Sequence, residues 1–126
     1  MTDNVTLFEA VRDGVPVTVT LAKESEIENI ARPLSSGQDV LEFWSLIAFR
    51  FEDARCEIHA LGWRRYLSNT WITSRIVGVD LTTGAIRTRS GRQYWLGDRD
   101  QPTLAPELRS HLRYALQKWG FDDVRP

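Results

Sequence analysis

Cys56 and His59 stand three residues apart, and a thiol near an imidazole is the nucleophile–base pairing that this chain offers. The two meet if their segment is helical; on a strand, residues i and i+3 point to opposite faces. A lone cysteine among Ala54, Ile58 and Ala60 reads better as a small buried hydrophobe, and it has no partner for an internal disulfide. His111, four residues after Glu107, reads as a surface or half-buried side chain. Two histidines and one cysteine make no zinc spacing. Asp98 and Asp100 flank Arg99 in a loop, Asp122-Asp123 lies in the tail, and neither pair has a calcium-loop context. Ser90-Gly91 lacks the Gly-x-Ser-x-Gly setting of a nucleophile elbow, and no phosphate-cradling glycine motif occurs. The expectation is a protein that is not an enzyme, with no cofactor and no metal.

The charged surface carries more information. The chain of 126 residues holds 16 Lys/Arg and 17 Asp/Glu, a net charge of −1 with a pI near 6.1. Residues 1–58 have eleven acids against five bases, whereas residues 59–126 have eleven bases against six acids. Between Arg64 and Arg92 lie Arg64, Arg65, Arg75, Arg87, Arg89 and Arg92, against one acid, Asp80. Arginine presents a planar fork to carboxylates and phosphates and stacks on rings, which lysine does not. Trp63, Tyr66, Trp71, Tyr94 and Trp95 interleave with these arginines. Arginine and aromatic residues together build interface hot spots, and they also hold single-stranded nucleic acid. The bland alternative is a solvated face whose arginines pair with N-terminal acids, while Trp44 and Trp119 serve the core.

The elements that must position these groups form one α+β domain, residues 1–126: an N-terminal β-hairpin, two helices, a small antiparallel β-meander and a C-terminal helix. Alternating apolar residues on either side of Arg12-Asp13-Gly14 predict the hairpin, with Pro16 facing an edge. Lys23 to Ala31 reads as a short acidic helix stopped by Pro33, and Ser35-Ser36-Gly37 as a break. Val40, Trp44, Ile47 and Phe51 recur at helical spacing, which predicts a second helix ending near Asp53 and a strand from about Arg55. Residues 54–62 stay open between helix and strand. Trp71 to Leu81, Ala85 to Arg89 and Gln93 to Leu96 predict the meander, with Ala85, Arg87 and Arg89 on one face. Residues 97–102 read as a loop, and a last helix runs from Pro106 to a Gly120 stop.

The run Thr73-Ser74-Arg75-Ile76-Val77-Gly78-Val79-Asp80, then Gly84, then Arg87 to Gly97, resembles small proteins of phages and integrated mobile elements. That resemblance covers about a fifth of the chain and supplies no catalytic residues. It implies action on a host or defence complex, as anti-CRISPR inhibitors act. The leading expectation is a non-catalytic binding module that inhibits such a complex by protein–protein contact. Its contact is either Arg64, Arg65, Arg75, Arg87, Arg89, Arg92, Trp63 and Trp95, or an acidic nucleic-acid-mimicking face of Glu24, Glu26 and Glu28. The alternative is a nucleic-acid-binding accessory protein using the sheet, which the acidic pI disfavours. No apolar run reaches the ~18 residues of a membrane span, so the expected location is cytoplasmic, and the split charge also permits a homodimer.

Overall fold

The computed structural model describes residues 5–35, 37–65, 69–99 and 104–126. Tyr66, Ser36 and Asp100, which figure in the expectations above, lie outside the described residues. The hairpin forms as expected from β1 (Thr6–Arg12) and β2 (Val15–Leu21). Asp13 and Gly14 have φ of 53° and 79°, and these left-handed values match the right-handed strand twist. Pro16 sits just before the ladder that begins at Val17, so its missing N–H breaks no bond there. The acidic helix is shorter than expected: α1 covers Glu24–Glu28, with Ile27 as its buried anchor.

The second expected helix is a strand. β3 runs from Asp39 to Phe51 and is thirteen residues long. It pairs along one edge with β4 (Cys56–Arg64). Along the other edge its C-terminal part pairs with β2 and its first three residues run parallel to β8 (Gln93–Leu96). The physical reason is burial on both faces. Ile47, Phe49 and Phe51 enter a core with α2 (Pro106–Lys118), whereas Leu41, Trp44, Leu46 and Ala48 enter a second core with the meander. A strand covered on both sides reads as a near-continuous apolar run, without the alternation that marks a half-exposed one. The register also slips between Glu42 and Ser45, with Phe43 at φ 48°, so Leu41 and Trp44 join the same core despite their odd spacing. That slip imitates a helical interval.

Trp71 to Leu81 divides into β5 (Asn69–Ile72), paired with β4, and β6 (Ile76–Asp80). The expected meander follows as β6, β7 (Ala85–Thr88) and β8, with glycine in the left-handed region at Gly84 and Gly91. After α2 the chain adds a strand that the sequence reading lacked, β9 (Asp122–Arg125), which covers the free edge of β1. Architecture is therefore α+β, with β-structure predominant.

The segment after α1 positions the meander. Ala31 bridges to Val79 of β6, and the Arg32 amide donates to the Val79 carbonyl. Farther on, the Leu34 amide donates to Asp80 Oδ2 at 2.9 Å, and the Thr83 hydroxyl donates to the Leu34 carbonyl at 2.7 Å. Gly37 then rests on the Trp95 indole, where a Cβ would stand 2.6 Å from the ring, and the Gln38 amide donates to the Gln93 carbonyl. Residues 31–35 and 37–38 thus form a strap across one end of the meander, from the β6 edge to the β8 edge.

Candidate functional site

The arginines sort into two populations. Those near β3 and β4 are held by acids. Arg64 pairs with Asp39, and its guanidinium also lies over the Trp71 ring at 4.6 Å. Arg65 pairs with Glu42, whose carboxyl is held below its ordinary range by that pair and by the Asp98 amide. Arg12 meets Glu57 at 3.1 Å, and Arg50 grips Glu26 with two nitrogens at 2.7 and 2.6 Å. Arg64 and Arg65 therefore fall away from the expected arginine face, because the N-terminal acids neutralise them.

Arg75, Arg87, Arg89 and Arg92 differ: all four are exposed, and none makes an ion pair among the described residues. The local cause is strand alternation over a one-sided core. Ile86 and Thr88 point inward, Arg87 points out, and Arg89 follows just beyond β7. Ala85 does not share that open face, since it is fully buried at the strapped end. Across from Arg87 stands Gly78, and Val77 beside it is the extra residue of a bulge in β6. The absent side chain at Gly78 leaves room for Arg32, whose Cδ would lie 3.4 Å from a Cβ there. Arg32 donates from Nε to the Val77 carbonyl at 3.1 Å.

Between strap and meander this leaves a groove of about 440 Å³. Arg32, Arg87 and Arg89 line it with Pro33, Leu34 and Val77, and among the described residues no carboxylate lines it. Asp80, the acid of this region, is engaged by the amides of Leu34, Thr82 and Thr83, which hold its carboxyl below the ordinary range. Arg32 was missed in the sequence because it precedes Pro33 and looked like a helix end. The usable signal was a cation in a break between two elements, where loops carry function.

The aromatic half of the expected face is mostly half-buried. Trp63 is half-buried against the α2 core, Trp95 is half-buried under Gly37, and Tyr94 is buried. Trp71 packs on the meander core with its indole N–H buried and without a partner. Trp44 is a core residue, as expected, with its N–H donating to the Gly97 carbonyl at 2.9 Å. Trp119 is half-buried against the α2 core. None of the residues lining the groove is aromatic.

The acidic face is also reduced. Glu24 and Glu28 are exposed, but Glu26 is tied to Arg50. Burial pushes the Glu26 carboxyl up, yet Arg50, the Lys23 amide and the Cys56 thiol outweigh it and bring it below its ordinary value. Cys56 and His59 lie on a strand and part company. Cys56 turns to Glu26 at 3.4 Å, and burial together with that carboxylate pushes the thiol up to about 11. His59 faces the other way, between the Phe49 and Trp119 rings at 4.6 and 5.0 Å, with Nδ1 at 2.9 Å from the Thr73 carbonyl. His111 sits half-buried on α2, 2.6 Å from the Thr70 hydroxyl, and burial lowers its pKa.

Among the described residues no group of three or more His, Cys, Asp or Glu is placed to hold a metal ion, and no helix is long and apolar enough to cross a membrane. No family model, no curated protein and no solved structure matches the chain.

Proposed function

We propose that this protein is a non-catalytic binding module that captures an acidic surface of a protein partner through the arginine face of its meander. The observation carrying this reading is the contrast between neutralised and unneutralised arginines: Arg75, Arg87, Arg89 and Arg92 are exposed without an ion-pair partner among the described residues. Unpaired guanidinium groups carried on a sheet present planar forks that favour a complementary carboxylate surface. The resemblance of residues 73–97 to phage and mobile-element proteins makes that partner a host or defence complex, which the bound module would inhibit. Half-burial of Trp63 and Trp95 and burial of Tyr94 weigh against nucleic acid, because base stacking needs open rings.

The test is affinity capture from host lysate, with and without nuclease, comparing the native chain with Arg87→Glu/Arg89→Glu. A stoichiometric protein should survive nuclease, and the double variant should weaken its capture at least about thirtyfold. The variant's thermal midpoint should stay unchanged. Loss of every captured species on nuclease treatment would move the protein to the nucleic-acid class.

A further inference from the structure

We propose that the groove between strap and meander reads a side-chain carboxylate in an acidic segment of the partner, with Arg32 as the residue that fixes its position. The inference rests on the arginine face being a partner-binding surface, and it goes further by making the strap one wall of the site and naming the ligand class.

Three guanidinium groups, Arg32, Arg87 and Arg89, line a volume of about 440 Å³ that no carboxylate among the described residues shares. Like charges gathered in one concavity repel, and an entering anion relieves all three at once. Arg32 is already oriented for this. Its Nε is held by the Val77 carbonyl, and its stem lies over Gly78, so both terminal nitrogens remain as donors. A fork held in place before binding loses less freedom when a carboxylate docks. The bulge at Val77 offers the carbonyl that holds Arg32, and Gly78 beside it leaves the space that a side chain larger than a methyl would take.

The rest of the lining narrows the ligand class. Pro33, Leu34 and Val77 supply an aliphatic floor beside the cations. A carboxylate on a segment that also carries an aliphatic side chain satisfies both parts. A nucleic-acid strand would find cations in this groove but, among the described residues, no aromatic ring on which to stack its bases.

The experiment measures fluorescence anisotropy of a short labelled peptide of alternating Glu and Leu, its Gln-Leu counterpart and a labelled oligothymidylate. The Glu-Leu peptide should bind about tenfold more tightly than Gln-Leu, and Arg32→Ala should remove about that factor. Gly78→Val keeps every arginine but fills the space under Arg32, and it should weaken the peptide as much. Arg113→Ala, an exposed change on α2, should leave binding unchanged. If Gly78→Val does not fold, Arg32→Ala decides alone, with its thermal midpoint as the control. Equal affinity for the two peptides, no effect of Arg32→Ala, or tighter binding of oligothymidylate that Arg32→Ala abolishes would each overturn the proposal. The two readings fail separately. If Arg87→Glu/Arg89→Glu abolishes capture of the partner while Arg32→Ala leaves it intact, the groove is wrong and the arginine face stands.

Discussion

The β3–β4 hairpin and the β6–β7–β8 meander use the same cation under opposite conditions. Around the hairpin, Arg12, Arg50, Arg64 and Arg65 each meet a carboxylate from another strand or from α1. On the meander, Arg75, Arg87, Arg89 and Arg92 face solvent with no such partner among the described residues. Total charge cannot register this difference, because it adds acids and bases wherever they lie. Pairing does register it. A guanidinium with a carboxylate at 2.6 Å contributes to the fold, whereas one left bare contributes little to it.

The largest expected effect breaks the paired side of that contrast. Glu26 and Arg50 are mostly shielded, their side chains 16% and 25% exposed, and Arg50 also donates to the Thr20 hydroxyl. Arg50→Ala leaves a carboxylate without its counter-ion and should cost about 3 kcal/mol in urea unfolding. Arg87→Ala, on the bare side, should stay within about 0.5 kcal/mol. Equal costs at the two positions would erase the distinction.

A second, smaller effect sharpens the contrast through pH. The Glu57 carboxyl is brought down to about 2 by the His59 imidazole, against burial, with Arg12 adding to the pull. The imidazole Nε2 stands 3.6 Å from Glu57, beyond hydrogen-bond range, so the 3.1 Å Arg12 contact is the firmer hold. A carboxyl depressed from 4.5 contributes stability that is fully present above about 4.5 and is lost as pH falls toward 2. The loss should reach about 2 kcal/mol after discount for partial exposure. Glu57→Gln should flatten this part of the stability–pH curve, whereas the bare meander arginines should contribute nothing to it. An unchanged acid limb in Glu57→Gln would show that the hairpin's acids are not what acid unfolding reads.

The same contrast explains what could be seen in the chain beforehand. The meander was legible because its strands are short and are joined by glycine turns, at Gly84 and Gly91. The first hairpin, the acidic helix and α2 were legible for similar reasons of period and punctuation. β3 was not, because Trp44 to Phe49 are all buried between two cores and the Phe43 bulge shifts the phase. Arg87 lies on a strand as expected, whereas the expected strand to Arg89 ends one residue earlier, so Arg89 stands in the turn before Arg92. What sequence spacing could not tell was which arginines had acids waiting. Asp39 and Glu42 lie 25 and 23 residues from Arg64 and Arg65, so only β3–β4 pairing brings them together. Arg32 was hidden for the converse reason: it reaches the meander through a strap with no periodic pattern of its own.

The smallest effect concerns the turns that close the two regions. The meander's turns place glycine in the left-handed region, at φ 77° for Gly84 and 91° for Gly91. The β3–β4 turn instead puts Ala54 there, at φ 75°, with its amide donating to the Phe51 carbonyl at 3.0 Å. An L-residue with a Cβ is strained by about 1 kcal/mol in that region, while glycine gives back part of the gain through its looser unfolded chain. Ala54→Gly should therefore stabilise by about 0.5 kcal/mol, and Gly91→Ala should destabilise by about 1 kcal/mol, although nothing lies within 4 Å of the added methyl. The opposite signs make the pair informative, since crowding cannot account for a loss at Gly91. Peptide binding should respond to Gly91→Ala, which borders the groove, and ignore Ala54→Gly, which lies at the far turn. If both substitutions shift binding alike, strain in the turns is transmitted through β3, and the hairpin and the meander act as one mechanical unit instead of two.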